Sequence, residues 1–276
     1  MKGANLLRAG VLILVLMSGS ALAANSNHNV TAQMNNVAPT ITFVQSLSSA
    51  NPTQNGVTTI LGNFTANDKN KVADLNSSSA SCALQNDGTV RTSASCTPTT
   101  LSTSSINYQC NIGLQYYDTP GTWTLNCTVA DNAGLRVHSQ PGYAVSLTYN
   151  TLFAVALDKS VMDFGTLTLG TVQAASTNPI AVLNQGNVNV GNISIKGYDL
   201  STVADSIPAS AINSTSVQSP AVSAFMINNT YVSMDALTIN YGVGAFKSFS
   251  YYMTVPSELE SGTYTSASPW VIYTST

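Results

Sequence analysis

The 276-residue sequence predicts an all-β chain, with two tandem β-sandwich domains after an N-terminal signal peptide. Three observations support this prediction. Apolar and polar residues alternate in short runs that are separated by turn residues. No apolar stripe with the i, i+3, i+4, i+7 spacing of a helix continues over three turns. Four cysteines in a chain that begins with an export signal indicate disulfides.

The first 23 residues have the features of a signal peptide. Lys2 and Arg8 supply positive charge, residues 11–17 are apolar, and small residues then predict cleavage after Ala23. Because no stretch is apolar enough for a membrane span of ~20 residues, we expect secretion without a transmembrane anchor. In a second interpretation, Lys2-Gly3-Ala4 resembles the cleavage site of archaeal type IV pilin-like proteins, whose apolar segment forms a filament core. Arg8 would then be an unpaired charge in that core.

Removal of residues 1–23 leaves seven basic and twelve acidic residues, a net charge of −5. Only 8% of the chain is charged, so we expect a surface of hydroxyl and amide groups. Such a surface cannot neutralise a phosphate backbone, which argues against nucleic acid binding. The remaining length suits two domains. The predicted organisation is a polar leader over 24–37, a first sandwich over 38–149 and a second over 150–276.

Two successive strands of the first sandwich show the clearest alternation. Their apolar faces are Tyr108, Cys110, Ile112, Leu114 and Tyr116, then Trp123, Leu125, Cys127 and Val129. The turn between them, residues 118–121, contains Pro120 to fix φ and Gly121 to supply a positive φ. Because Cys110 and Cys127 lie on the apolar faces, we expect both side chains to point into a shared core.

Disulfides are the expected state of all four cysteines, Cys82, Cys96, Cys110 and Cys127. Their spacings of 14, 14 and 17 residues lack the close Cys pairs or His partners of a zinc site. Three pairings are open. The simplest joins Cys82 to Cys96 and Cys110 to Cys127, each closing a loop of about 15 residues.

The segment Tyr116-Tyr117-Asp118-Thr119-Pro120-Gly121-Thr122-Trp123, followed by a strand and Asp131-Asn132-Ala133-Gly134, resembles the end of an immunoglobulin-like domain of the PKD type. Those domains carry a tyrosine, then Pro-Gly-Thr-Tyr, an alternating strand and Asp-Asn-x-Gly. Here Trp123 occupies the aromatic position, and the Gly-Asp-Gly motif of the family is absent. The resemblance covers about 20 residues. It implies an Ig-like first sandwich and a binding or spacer role at a cell surface.

The second half repeats the alternating pattern, and we expect a Greek-key or jelly-roll-like sandwich. Buried positions shift phase at Gly191, which predicts a β-bulge. We interpret residues 262–265 as equivalent to residues 121–124, as matching hairpins of two related sandwiches. Over short stretches, residues 164–167 and 184–187 resemble sandwich proteins of extracellular matrix fibres and archaeal surface proteins.

The sequence offers little for catalysis. Its only histidines are His28 and His138, without a Gly-x-Ser-x-Gly motif beside them. Its only glutamates, Glu258 and Glu260, fall in an expected solvated loop. We therefore predict a protein that is not an enzyme and has no cofactor-binding residues.

One metal candidate is calcium. Carboxylate and amide oxygens are its ligands, and four residues could meet at one end of the first sandwich: Asp68, Asn70, Asp74 and Asp131. Asx turns explain the same residues without an ion. Lys69 and Lys71, interleaved with them, also argue against it.

Seven N-glycosylation sequons are candidates for modification: Asn29, Asn63, Asn76, Asn126, Asn192, Asn213 and Asn228. A chain so rich in Asn, Ser and Thr contains such triplets by chance. Three of them, Asn126, Asn192 and Asn228, lie opposite in phase to an apolar neighbour, so we expect them to face solvent.

The composition and pattern predict a secreted glycoprotein of the cell surface or envelope, either S-layer-associated or a fibre subunit. Its expected partners are copies of itself or other envelope proteins. Val30, Ala32 and Met34 alternate in the leader, which could pair as a donor strand with a neighbouring copy or remain a disordered tail. The alternative function is adhesion, with loops and aromatic side chains such as Tyr116, Tyr117, Tyr251 and Tyr252 contacting a glycan or a protein.

Overall fold

The computed structural model describes residues 29–216, 224–234 and 238–275. Residues from Asn36 onward form one compact unit, and residues 29–35 belong to a separate N-terminal unit, in which they are exposed and have no regular structure. Within these described ranges, no helix has the length and apolar content needed to cross a membrane. The predicted cleavage at Ala23 and His28 lie outside the described residues.

The chain is all-β, as the sequence predicts, and its ladders are antiparallel. The strands before residue 150 are β1 Thr40–Val44, β2 Val57–Asn67, β3 Leu75–Asn86, β4 Thr89–Thr92, β5 Ser95–Thr100, β6 Ser105–Gln115, β7 Gly121–Asp131, β8 Arg136–His138 and β9 Val145–Tyr149. A 3-10 turn, Val72–Asp74, precedes β3.

The later strands are shorter. They are β10 Val155–Leu157, β11 Ala174–Ala175, β12 Ile180–Asn184, β13 Gly191–Lys196, β14 Leu200–Ser201, β15 Ser206–Ile207, β16 Ile212–Thr215, β17 Ala224–Phe225, β18 Tyr231–Ser233, β19 Phe246–Met253, β20 Thr265–Ser266 and β21 Val271–Ser275. A second 3-10 turn, Ala209–Ala211, precedes β16.

Two sheets enclose the first hydrophobic core. One has the strand order β1-β2-β6-β5, and the other has the order β4-β3-β7-β8, with β9 also paired to β7. The predicted alternation of β6 and β7 is confirmed for eight of the nine residues, which are buried in one cluster: Tyr108, Cys110, Ile112, Leu114, Trp123, Leu125, Cys127 and Val129. The ninth, Tyr116, lies beyond the end of β6 and is only half-buried. Each sheet therefore has one apolar face turned to the core.

The first strand departs from simple alternation. Its register against β2 shifts between Ile41 and Phe43. Ile41 and Val44 are consequently buried, whereas Phe43 is 51% exposed. A bulge of this kind adds one residue and reverses the facing of the residues that follow.

The disulfides join Cys82 to Cys127 and Cys96 to Cys110, so the simplest pairing is wrong. Cys82 lies directly opposite Cys127 in the β3–β7 ladder, and Cys96 lies opposite Cys110 in the β5–β6 ladder. Opposite residues of neighbouring strands bring their Cβ atoms within the reach of a disulfide. Cys110 and Cys127 do share one core, but they lie on facing sheets, which pack ~10 Å apart.

A second hydrophobic cluster occupies the later half, around Val182, Ile195, Phe249 and Tyr251. Its sheets have the orders β10-β12-β19-β16-β17, β18-β13-β21 and β15-β14-β20, with β11 also paired to β19. The predicted bulge is confirmed, since the register of β13 against β21 shifts between Gly191 and Ser194. Residues 262–265 are not equivalent to residues 121–124. Only Thr265 of the former lies in a strand, the two-residue β20, whereas all four of the latter belong to the eleven-residue β7. The domain boundary at 149/150 stays a prediction.

Candidate metal site

Three carboxylates from separate segments meet at one end of the first sandwich. Asp68 directly follows β2, Asp74 closes the 3-10 turn, and Asp131 is the last residue of β7. Leu75 lies opposite Asp131 in the β3–β7 ladder, which brings Asp74 to the same end. One oxygen from each carboxylate lies within 4.8 Å of the other two.

Two of these carboxylates are removed from solvent. Asp68 is 0% exposed and Asp131 is 1% exposed, whereas Asp74 is half-buried. Asp131 accepts hydrogen bonds from Leu135 N at Oδ1 and from Asn36 Nδ2 at Oδ2, both at 2.8 Å. Asp68 Oδ1 accepts one from Asn70 N at 2.7 Å. The other oxygen, Asp68 Oδ2, is buried and has no hydrogen-bond donor among the described residues.

No lysine or arginine of the described residues forms an ion pair with this cluster. In the described part of the chain, the two ion pairs are Arg91–Asp118 and Lys159–Asp158, and neither reaches this site. Desolvation raises the pKa of Asp74, and the negative charges of Asp68 and Asp131 raise it further, against a backbone hydrogen bond from Asn132. Close like charges disfavour ionisation in this way. The arrangement is suited to a hard cation bound by oxygen ligands.

The sequence predicted this meeting of Asp68, Asp74 and Asp131. The side-chain oxygen of the fourth candidate, Asn70, binds the backbone instead, because Oδ1 accepts a hydrogen bond from Val37 N at 3.0 Å. Asn36 was missed. It lies 95 positions from its partner Asp131 in a polar run that has no periodicity, so no local signal could have identified it.

The other predicted residues stay apart from this site. His138, Glu258 and Glu260 are exposed. Of the sequon asparagines, Asn29, Asn192 and Asn228 are exposed, and Asn63, Asn76 and Asn126 are half-buried. Asn228 was expected to face solvent because its neighbour Ile227 was expected to be buried. Asn228 is exposed, but so is Ile227, and the buried residue is Met226, so the reason given for that position is wrong.

Asn213 differs from the other sequons because it is buried. It is 1% exposed in β16, and its Nδ2 donates to Gln173 Oε1 at 3.3 Å. This environment leaves no room for a glycan in the folded chain.

The second half contains a cavity of about 790 Å³. Aromatic side chains lie on its wall, among them Phe164, Tyr251, Tyr264 and Trp270. Trp270 is oriented by a hydrogen bond from its Nε1 to Tyr198 O at 3.2 Å. Burial raises the pKa of Tyr251, and this residue belongs to the core rather than to the exposed surface.

No protein-family model matches the chain, and no curated protein matches it. Among solved structures, it is similar to titin Ig tandem domains at 10% identity, covering 87% of this chain and 96% of that one, with a TM-score of 0.28. It is also similar to the secreted serine protease VesC from Vibrio cholerae at 11% identity, covering 83% and 49%, with a TM-score of 0.22. At such scores, neither similarity defines the fold or the function of this chain.

Proposed function

We propose that the chain is an exported, non-catalytic structural protein of a cell surface or envelope. The observation that carries this proposal is the oxidised core of the first sandwich. All four cysteines are bridged, and three of them, Cys82, Cys110 and Cys127, are fully buried. Structural disulfides form and persist in oxidising compartments. The predicted signal peptide is consistent with the same compartment.

The edge strands support lateral assembly. β1 and β5 are the two edges of their sheet, and neither contains a charged residue. β1 also exposes Phe43. Natural proteins protect such edges with charges, prolines or bulges, because an open edge templates pairing with another chain. Here β1 has a bulge and β5 contains Pro98, but neither edge carries a charge. An uncharged edge is suited to contacts between copies in a coat or fibre.

Mass spectrometry of the native mature protein tests the compartment. We expect an N-terminus at Ala24, the two bridges Cys82–Cys127 and Cys96–Cys110, and glycans only at exposed or half-buried sequons. An N-terminus at Ala4 would instead favour a pilin-like filament subunit. Free thiols in the native protein would contradict export.

Assembly is tested by concentrating the purified protein and imaging it by negative-stain electron microscopy. We expect ordered sheets or fibres, and we expect Phe43→Lys to reduce them by placing a charge on the β1 edge. Leu61→Lys is the matched control, because Leu61 is exposed on β2, which is not an edge strand. Monomers at every concentration would contradict a structural role.

The cavity favours a second candidate function, the binding of a glycan. Its volume of about 790 Å³ is within the usual range of small-molecule sites, ~300–1,000 Å³. Sugar rings can stack on aromatic side chains such as Trp270 and Tyr264. Because Trp123 is fully buried in the other core, a change of fluorescence on a glycan panel would report on Trp270. Saturable binding by a monomer, lost in Trp270→Ala, would favour this function over the structural one.

A further inference from the structure

We propose that Asp68, Asp74 and Asp131 bind one Ca²⁺ ion, and that this ion secures residues 36 and 37 at that end of the sandwich. The inference is drawn from the geometry of the carboxylate cluster, and it does not depend on where the protein acts.

The buried oxygen of Asp68 is the first reason. Asp68 is fully buried, and its Oδ2 has no hydrogen-bond donor among the described residues. An ionised carboxylate in that situation is strongly unfavourable unless a counter-charge or a metal accompanies it. Asp131 adds a second buried carboxylate a few ångströms away, and no lysine or arginine of the described residues pairs with either. A divalent cation supplies the missing counter-charge.

The spacing of the oxygens is the second reason. Ca²⁺ binds oxygens at ~2.3–2.6 Å, so two ligands of one ion lie at most ~5 Å apart. The three carboxylates offer oxygens within 4.8 Å of one another. Calcium accepts six to eight oxygens in flexible arrangements, whereas Mg²⁺ usually takes one or two carboxylates and retains its water. Zinc prefers nitrogen and sulfur ligands, and here the cysteines are bridged.

The same residues hold the beginning of the compact unit. Asp131 accepts a hydrogen bond from the Asn36 side chain, and Asn70 accepts one from Val37 N. Asn70 in turn donates its backbone N–H to Asp68. Without an ion, repulsion among the carboxylates opposes this arrangement. With the ion, the segment from Asp68 to Asp74 and the residues bonded to it are held together.

The segment contains its own reporters, because Lys69 and Lys71 are exposed trypsin sites between the proposed ligands. The full mature chain, stripped with EDTA, is compared with the same chain in Ca²⁺. We expect one saturable site by calorimetry and at least tenfold slower cleavage after Lys69 and Lys71. Cleavage after Lys159, exposed in the second half, is the internal control and should not change. The melting temperature should rise by about 5 °C or more at ~100 times the dissociation constant.

Two variants test the ligands. Asp68→Asn and Asp74→Asn should each weaken Ca²⁺ binding at least tenfold and remove the protection of Lys69 and Lys71. Asp74 is only half-buried, so its variant keeps the test valid if Asp68→Asn fails to fold. Asp87→Asn is the matched control, since it removes the same charge in an exposed turn away from the cluster. Asp87 has a positive φ, which asparagine also tolerates.

Three results would overturn the proposal. One is the absence of heat, thermal shift and protection at about 10 mM Ca²⁺, above the ~10⁻⁴–10⁻³ M constants of extracellular calcium modules. Another is an unchanged response in both Asp68→Asn and Asp74→Asn. Equal binding and protection by Mg²⁺ would overturn the assignment to calcium.

Discussion

A buried ion pair holds the turn between β6 and β7. The Asp118 side chain is 2% exposed and accepts hydrogen bonds from Arg91 Nε at 3.0 and 3.1 Å and from Arg91 Nη2. It also accepts one from Gln115 N at 2.7 Å. The hydrogen bond to Asp118 raises the pKa of Arg91. Removal of the Arg91 guanidinium would therefore leave the buried Asp118 carboxylate without its counter-charge, while the hydrogen bond from Gln115 N remains.

We expect Arg91→Ala to lower the free energy of unfolding by about 2–3 kcal/mol. This is below the ~3–5 kcal/mol typical of fully buried pairs, because the Arg91 side chain is 29% exposed. Urea unfolding under non-reducing conditions measures the loss. Arg136→Ala is the control, since Arg136 is exposed and its side chain donates a hydrogen bond to Thr128 Oγ1. A loss equal to that of the control would contradict a structural role for the pair.

Gly186 allows two segments of backbone to approach closely. A Cβ atom added to it would lie 2.1 Å from Leu152 O and 3.0 Å from Ala154 N. Because backbone atoms cannot move aside as a flexible side chain does, we expect Gly186→Ala to cost about 3 kcal/mol or more, at the upper end of overpacking penalties. Thermal unfolding measures it. Gly191→Ala should change the midpoint little, since its added Cβ meets Ser275 O at 3.9 Å.

At the scale of elements, local pattern and long-range pairing were predictable to different degrees. The faces of β6 and β7 follow from alternation alone, because side chains of a strand point to opposite sides in turn. The outward orientation of Phe43 does not follow from alternation, since it results from a bulge against the partner strand β2. The cysteine pairing also failed, because it requires knowing which strands are neighbours. The carboxylate cluster was predictable because Asp68, Asp74 and Asp131 lie at the ends of strands or turns, which the sequence pattern locates. Asn36 was not predictable, because it contacts Asp131 only through the tertiary fold.

The two disulfides should contribute unequally to stability. Cys82–Cys127 spans 45 residues and Cys96–Cys110 spans 14. In the chain-entropy model these loops correspond to ~4 and ~3 kcal/mol. We therefore expect the Cys82→Ala/Cys127→Ala double variant to lose about 1 kcal/mol more than the Cys96→Ala/Cys110→Ala double variant.

Urea unfolding of the two double variants in parallel measures this difference. Each serves as the control for the other, because both remove two sulfur atoms and the one bridge between them. The reverse order of stability would show that packing around the sulfurs outweighs the constraint on the unfolded chain.

At the scale of the whole molecule, the two hydrophobic clusters share no residue. Polar contacts connect the segments on either side of residue 150. Gln54 Nε2 donates to Gln185 Oε1 at 2.8 Å, and Asn55 N donates to Gln185 O at 3.3 Å. Asn150 Nδ2 donates to Asn51 Oδ1 at 2.7 Å, across the predicted boundary at 149/150. Hydrogen bonds of this kind each add little to stability, so the two cores are expected to unfold separately.

Each core contains one tryptophan, which makes separate unfolding measurable. Trp123 is buried in the first cluster, and Trp270 is packed against the second.

Trp270→Phe leaves a reporter for the half that contains both disulfides, and Trp123→Phe leaves a reporter for the half without cysteine. We expect reduction to lower the thermal midpoint seen by Trp123 by ~10 °C or more, because a small domain loses several kcal/mol with its bridges. The midpoint seen by Trp270 should stay within a few degrees of its oxidised value. If both reporters shift together, the halves unfold as one cooperative unit, and the predicted boundary at 149/150 does not separate independent domains.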